Sequence, residues 1–252
     1  MREVRSFGAT DIGRHRKSNQ DAYLCDDTLG LYVVADGMGG HAAGEVASKE
    51  AVDTVFGMVK RGMASIGPQI IGDLTDDHAR AGCRLLEGAV QAATYMVYAM
   101  AELDRDKSGM GTTISALLVL GDYAVIAQVG DSRVYQIRQG KAVQLTEDHT
   151  LIAWEIKQGL ITPDQAKTSP HRNIITRAVG NRDYVQVDTS VVDLRAADRY
   201  LLCSDGLHGY LRTEEIAPAC VAPGPVVVNN LVALANARGG KDNITAVLVE
   251  VL

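Results

Sequence analysis

Leu31-Tyr32-Val33-Val34-Ala35 is apolar at every position, and the chain passes from it without a spacer into Asp36-Gly37-Met38-Gly39-Gly40-His41. The first five residues read as a buried strand. The next six place a carboxylate, three glycines and a histidine at its end. A rigid apolar run thus delivers a charged side chain to the margin of a core, and glycine lets the backbone approach neighbours that a side chain would hold away. A carboxylate followed by glycine is also an ordinary turn signal. On its own the stretch leaves a functional and a structural reading open.

Strand ends of this kind recur. Tyr200-Leu201-Leu202-Cys203 runs into Ser204-Asp205-Gly206, and Asp131 follows Val129-Gly130. Asp242 follows Gly239-Gly240-Lys241 and precedes the last apolar run, while Asp21 stands just before Ala22-Tyr23-Leu24. If these strands are neighbours, several carboxylates crowd one sheet edge, where like charges raise one another's pKa unless cations neutralise them. Hard oxygen donors without a histidine cluster select Mg²⁺ or Mn²⁺ over Zn²⁺. Each Asp taken singly is also a turn former, so spacing carries the argument as far as a divalent-metal site and no further.

Composition narrows the remaining classes. The 252 residues are 46% hydrophobic and 22% charged, which is the balance of a folded globular chain. A net charge of −6 and 5% aromatic residues tell against nucleic acid or an anionic membrane surface as partner. Cys25, Cys83, Cys203 and Cys220 are widely spaced without a Cys-x-x-Cys pair, which tells against both a zinc site and a disulfide framework. Met1-Arg2-Glu3-Val4-Arg5 lacks the apolar core of a signal peptide. No apolar run reaches the about 18 residues needed to span a bilayer. A cytoplasmic setting without membrane insertion is expected.

The hydrophobic pattern predicts strands over 4–10, 22–24 and 29–35 and helices over 43–60 and 77–103, the first ended by the segment from Gly62 to Gly72. Two hairpins follow, 112–120 with 123–129 around Gly121-Asp122, and 134–138 with 142–145 around Gln139-Gly140. Residues 149–180 form an excursion with short helical pieces and a basic cluster of His171, Arg172 and Arg177. Strands over 184–192 and 200–203, helices over 213–219 (capped by Thr213) and 225–237, and a strand over 243–251 complete the chain. This order suggests sheets covered by helices on their outer faces, in one domain.

Taken in order, the motifs carry a resemblance. They are Asp11-Ile12-Gly13, Arg16-Lys17-Ser18-Asn19-Gln20-Asp21, Val34 to His41 with Gly44-Glu45, Met110-Gly111-Thr112-Thr113, Val129-Gly130-Asp131-Ser132-Arg133, Leu201 to Leu207, and Gly240-Lys241-Asp242-Asn243-Ile244-Thr245. The set resembles the metal-dependent protein phosphatase family of the 2C type, in its compact bacterial serine/threonine members, and covers nearly the whole chain. The resemblance implies an α+β fold, a four-layer α-β-β-α sandwich of two mainly antiparallel sheets flanked by helices. It implies a single phosphatase domain over 1–252, with a flap at about 149–180. The implied activity is metal-dependent hydrolysis of phosphoserine and phosphothreonine in proteins, by a hydroxide activated between two Mn²⁺ or Mg²⁺ ions about 3.5–4 Å apart.

By the same resemblance Asp36 bridges the two ions, the backbone carbonyl of Gly37 ligates one, Asp205 and Asp242 complete the pair, and Asp21 acts through water. Arg16 is the phosphate-binding arginine, its planar fork matching phosphate oxygens. His41 is the candidate general acid for the leaving hydroxyl; the other reading is a helix-start residue that orders water or caps the Asp36 turn. Asp131, Ser132 and Arg133 read as structural.

Two departures stand out. Ser108 occupies the position where many bacterial relatives carry an Asp that helps hold a third metal, which puts that site in doubt. Gln20 stands where others often carry Glu, and weaker metal binding is expected. The implied partners are phosphoserine and phosphothreonine proteins, including a cognate kinase or its substrates, met by a monomer. The competing readings are a catalytically silent phosphatase-like regulatory or scaffold module and a metal nuclease or small-molecule phosphohydrolase.

Overall fold

The computed structural model describes residues 2–40, 43–66, 76–171 and 173–252. Strands β1 (Val4–Asp11), β2 (Asp21–Asp26) and β3 (Leu31–Met38) precede two long helices, α1 (Ala43–Ile66) and α2 (Asp76–Leu103). A meander follows, with β4 (Gly111–Thr112), β5 (Ile114–Leu120), β6 (Tyr123–Val129), β7 (Arg133–Arg138) and β8 (Lys141–Gln144). Short helices α3 (Leu151–Lys157) and α4 (Pro163–Ala166) lie in the excursion before β9 (Asp188–Asp193). After β10 (Arg199–Cys203) come α5 (Asp205–His208), α6 (Thr213–Ala219), α7 (Gly224–Ala237) and the last strand, β11 (Ile244–Val251).

The strands form two antiparallel sheets. One has the order β1-β11-β10-β7-β8, and the other β2-β3-β5-β6-β9, with β4 paired to the end of β3. Apolar residues on both sides of the strands explain why each sheet is covered twice. In β3, Leu31, Val33 and Ala35 pack beneath α1 and α2, while Tyr32 and Val34 meet Tyr200, Leu202, Val247 and Val249 of the facing sheet. In β10 and β11 the same alternation sends Leu201, Cys203, Ala246 and Leu248 outward against α6 and α7. A strand with a period-2 side-chain pattern can be apolar throughout only when both of its faces are buried. The result is the expected α-β-β-α sandwich of antiparallel sheets. Among the described residues no helix is long and apolar enough to cross a membrane.

Several boundaries differ from those the pattern predicts. Helix α1 continues past Gly62 to Ile66. A Cβ at Gly62 would lie 2.2 Å from Leu85 Cδ1, so the glycine is a contact point between α1 and α2 and not a helix stop. Strand β3 does not end at Asp36: Gly37 and Met38 carry on by pairing with Thr112 and Gly111. Residues 184–187 are not strand, and Val185 instead gives its N–H to the Gln91 side chain of α2. The cap of α6 is Arg212, with Thr213 as its first turn, and Glu215 Oε2 accepts the Arg212 N–H at 2.9 Å. Asp205, for which a turn is one of the two open readings, begins the helix α5.

Candidate active site

The edge where β2 and β3 approach the start of β11 gathers the acidic residues. Asp21 and Asp36 are direct register partners across the β2–β3 ladder. The facing sheet supplies the rest, with Asp205 two residues after β10 and Asp242 two residues before β11. The opposed carboxylates act on one another. Asp36 is driven well above the ordinary carboxylate range by burial and then by the charges of Asp21, Asp205, Asp131 and Asp242. Burial, with smaller contributions from Asp205 and Asp242, pushes Asp21 up to about 7. Asp205 is raised by burial and by Asp242, with the neighbouring Asp36 carboxyl and Arg16 acting in the opposite direction. Asp131 is pushed up to about 7 by burial and by Asp205.

The backbone here is held by small polar side chains from distant elements. The Asp36 N–H donates to Thr113 Oγ1 at 2.9 Å, and the Asp36 carbonyl accepts from the Thr113 N–H and the Thr112 hydroxyl. Asp21 Oδ2 accepts from Thr245 Oγ1 at 2.6 Å and Ser204 Oγ at 2.8 Å, which ties the two sheets together at the site. Gly37 has no room for a side chain: a Cβ would lie 2.1 Å from the Gly44 carbonyl oxygen and 2.5 Å from that of Gln20. Close approach of α1 to β3 therefore demands glycine next to Asp36. Gly206 meets the same limit, with a Cβ 1.9 Å from the Asn243 carbonyl oxygen.

Arg16 is brought to this edge by the loop between β1 and β2, where its Nη2 donates to Asp242 Oδ2 at 2.6 Å. Asn243 fixes that loop. Its Nδ2 donates to the carbonyls of Ile12 and Ser18, and its Oδ1 accepts the Gln20 N–H at 2.8 Å. His41 lies outside the described residues, as does Arg172 of the basic cluster. Arg177 is not a free charge, since its Nη1 binds Asp188 Oδ1 at 2.7 Å. Ser108 ends a single 3₁₀ turn, Arg105–Lys107, and Asp104 there pairs with Lys107.

The pattern of unpaired oxygens tests whether these residues suit divalent cations. Asp21 Oδ1 and Asp205 Oδ1 are buried with no hydrogen-bond partner among the described residues. Such oxygens are costly unless a proton or a cation meets them. No three His, Cys, Asp or Glu side chains among the described residues close around one point. Hard cations such as Mg²⁺ or Mn²⁺ keep several waters and take only a few oxygens from the protein. The residues fit that requirement.

Two histidines that the sequence reading left without a role grip the loop carrying Asp131. His149 Nδ1 accepts the Gly130 N–H at 3.1 Å, so its Nε2 carries the proton and donates to Asp188 Oδ2 at 3.0 Å. From the other side, His208 Nε2 donates to the Asp131 carbonyl at 2.9 Å. Burial and the nearby Arg133 charge drive His208 down to about 4. In sequence the only trace of these roles is adjacency, of Asp148-His149 to the second hairpin and of His208 to Asp205.

A family model described as "Protein phosphatase 2C" matches residues 12–249. The serine/threonine protein phosphatase PstP of Mycobacterium tuberculosis strain H37Rv is 36% identical over 252 residues, 99% of this chain but 45% of the relative. The chain thus spans about half the length of that relative. It matches the protein phosphatase PhpP of Streptococcus pneumoniae strain D39 nearly end to end, at 36% identity over 95% of this chain and 94% of the relative. Among solved structures, the catalytic domain of PstP in complex with two manganese ions superposes with a TM-score of 0.83 at 33% identity, covering 99% of this chain and 98% of that one.

Proposed function

The chain belongs to the protein phosphatase 2C family, and from that premise we propose that it hydrolyses phosphoserine and phosphothreonine in proteins, opposing a serine/threonine kinase. The observation that carries this reading is the convergence of Asp21, Asp36, Asp205 and Asp242 on one edge with two buried, unpaired carboxylate oxygens and Arg16 beside them. In the proposal Asp36, Asp205, Asp242 and the Gly37 carbonyl hold two Mn²⁺ or Mg²⁺ ions, with Asp21 acting through water. When bound, such ions lower the pKa of a water and neutralise charge on a phosphoryl group.

The chain's own groups do the rest. Arg16 offers the planar guanidinium that matches two phosphate oxygens, at a point where it already meets the oxygen of a carboxylate. Thr112 and Thr113 hold the Asp36 backbone, and Asn243 holds the Arg16 loop, so both charges are fixed before substrate arrives. Water oxygen forms the new bond to phosphorus, the ester P–O bond breaks, and the departing serine or threonine oxygen takes up a proton. His41 is the proposed donor of that proton. The reading includes one phosphatase domain over 1–252 with a flap at about 149–180, acting as a monomer, since all the proposed groups come from one chain. It also includes a cytoplasmic setting, supported by four cysteines that stand unbridged.

The test is manganese-dependent hydrolysis of p-nitrophenyl phosphate and a phosphothreonine peptide by the wild-type protein and Asp36→Asn. Turnover is expected to fall on the order of 10²–10³-fold in the variant, as when a main charge-stabilising group is removed. Equal turnover by the two proteins sinks the reading and favours a catalytically silent module.

A further inference from the structure

The proposed phosphate-binding arginine and one of the proposed metal-holding carboxylates ride on segments that leave the same sheet. Asp11 and Ile244 are the last register partners of the β1–β11 ladder. Beyond them, the loop between β1 and β2 carries Arg16, and the turn between α7 and β11 carries Asp242. The loop packs directly on that turn: a Cβ at Gly13 would lie 2.2 Å from the Asp242 carbonyl oxygen. Asn236, in the last turn of α7, holds the same loop at two points. Its Nδ2 donates to Asp11 Oδ1 at 2.9 Å, and its backbone carbonyl accepts from Arg14 Nε at 2.8 Å. Asp11 Oδ1 also accepts the Gly13 N–H at 2.8 Å, and the Arg14 N–H donates to the Gly240 carbonyl at 2.7 Å.

Both contacts are chemically matched. The last carbonyls of a helix lack partners within it and carry the negative end of its dipole, so a guanidinium suits the Asn236 carbonyl. The Asn236 amide is a neutral donor to a carboxylate, and its own Oδ1 is buried with no hydrogen-bond partner among the described residues. Asp11 is therefore the group that orients it. Arg14 and Arg16 lie close together in the loop, the first tied to α7 and the second to Asp242. We propose that Asn236 is a positioning residue for Arg16, which through Asp11 and Arg14 sets the phosphate-binding guanidinium in register with the turn that carries Asp242. The inference rests on the phosphatase reading above and adds to it a residue that touches neither phosphate nor metal.

The experiment measures hydrolysis of p-nitrophenyl phosphate by the manganese-loaded protein, and binding of inorganic phosphate to it by calorimetry. Asn236→Asp exchanges the amide for a carboxylate of nearly the same shape and sets it against Asp11. It is expected to raise KM and the phosphate Kd about tenfold with kcat held, because an arginine that grips phosphate alike in ground and transition states acts on KM. In the double variant Asp11→Asn/Asn236→Asp the donor and acceptor change places, and both constants are expected to return to within about twofold of wild type. Arg14→Met removes the second contact and is expected to raise the same constants about threefold, the size of one exposed hydrogen bond. In an Arg16→Met background neither Asn236→Asp nor Arg14→Met should lower kcat/KM or phosphate affinity further. Losses that persist in that background, failure of the exchanged pair to restore binding, or unchanged phosphate affinity in the single variants overturn the positioning role and leave the phosphatase reading standing. If Asn236→Asp does not fold, the cycle of Arg14→Met with Arg16→Met decides by the same criteria. Failure of the wild-type protein to hydrolyse the aryl phosphate overturns both.

Discussion

Two sets of aspartates in this protein differ in whether a cationic side chain of the chain itself meets them. Asp198 is 2% exposed, and burial pushes its carboxyl upward; the fork of Arg138, at 2.6 and 2.8 Å, outweighs burial and holds it below the usual range. Asp188 is kept low in the same way by His149 and Arg177, against burial. Asp36, Asp21 and Asp205 lie deeper, no arginine forks onto them as Arg138 does onto Asp198, and all three stay high. The chain supplies its own counter-charge where a carboxylate braces the fold. Where it does not, along the edge between the sheets, the carboxylates are left for a cation from solution. The lack of an arginine partner marks Asp21, Asp36 and Asp205 off from the braces, while Asp242 of the same edge is met by Arg16.

The comparison can be broken at its strongest point. Arg138→Met leaves Asp198 buried and uncompensated, and is expected to cost about 3–5 kcal/mol of stability in urea melts. Turnover measured below the transition should hold. Stability unchanged by that substitution would mean that the arginine pairs are incidental.

His208 tests the border between the two sets, where Arg133 serves Asp148 and keeps a histidine neutral. Its folded pKa of about 4 lies below the unfolded value near 6.5. Between those values the unfolded chain binds a proton that the folded chain refuses. The stability is fully present above pH 6.5, is lost as pH falls toward 4, and levels off below. The expected loss is roughly 2–3 kcal/mol. In His208→Gln, which keeps a donor for the Asp131 carbonyl, that share of the pH dependence should vanish. An unaltered slope in melts at pH 7, 5.5 and 4.5 counts against the assignment.

The metal-free protein offers a prediction of opposite sign. Asp36→Asn removes charge that nothing in the chain balances, so it is expected to stabilise the protein in chelator by about 1–2 kcal/mol. Added Mn²⁺ should reverse the ranking, because ligand that binds only the folded state stabilises by about 2.7 kcal/mol at a hundred times its Kd. A variant less stable than wild type in chelator would place Asp36 with the structural set. The smallest effect concerns Ser108→Asp, which is expected to raise occupancy by Mn²⁺ severalfold at limiting metal, read by calorimetry. Unchanged binding there would show that residue 108 does not reach the site.

Much of the site is legible along the chain because carboxylates at the ends of apolar runs are local features. The runs 31–35 and 200–203, with Asp36 and Asp205 beside them, need no partner strand to be seen. Other parts depend on contacts between distant segments. Asp36 reads as the end of a strand, but β4 from 75 residues away extends that strand to Met38. Gly62 reads as a breaker, but the closeness of Leu85 makes it a packing glycine within α1. Thr213 reads as a cap, and Arg212 takes the place because Glu215 binds its backbone N–H.

The sequence by itself determined the layering and the chemistry of this protein. Runs apolar at every position require cover on both faces, and aspartate with glycine at their ends supplies hard donors with a freed backbone. Only the tertiary structure decided which carboxylates are braces and which are open. Arg138, 60 residues from Asp198, arrives within hydrogen-bond range of it, and no arginine does so for Asp21 or Asp36. Electrostatic energy in a low-dielectric interior depends on separation in space, and separation along the chain does not report it.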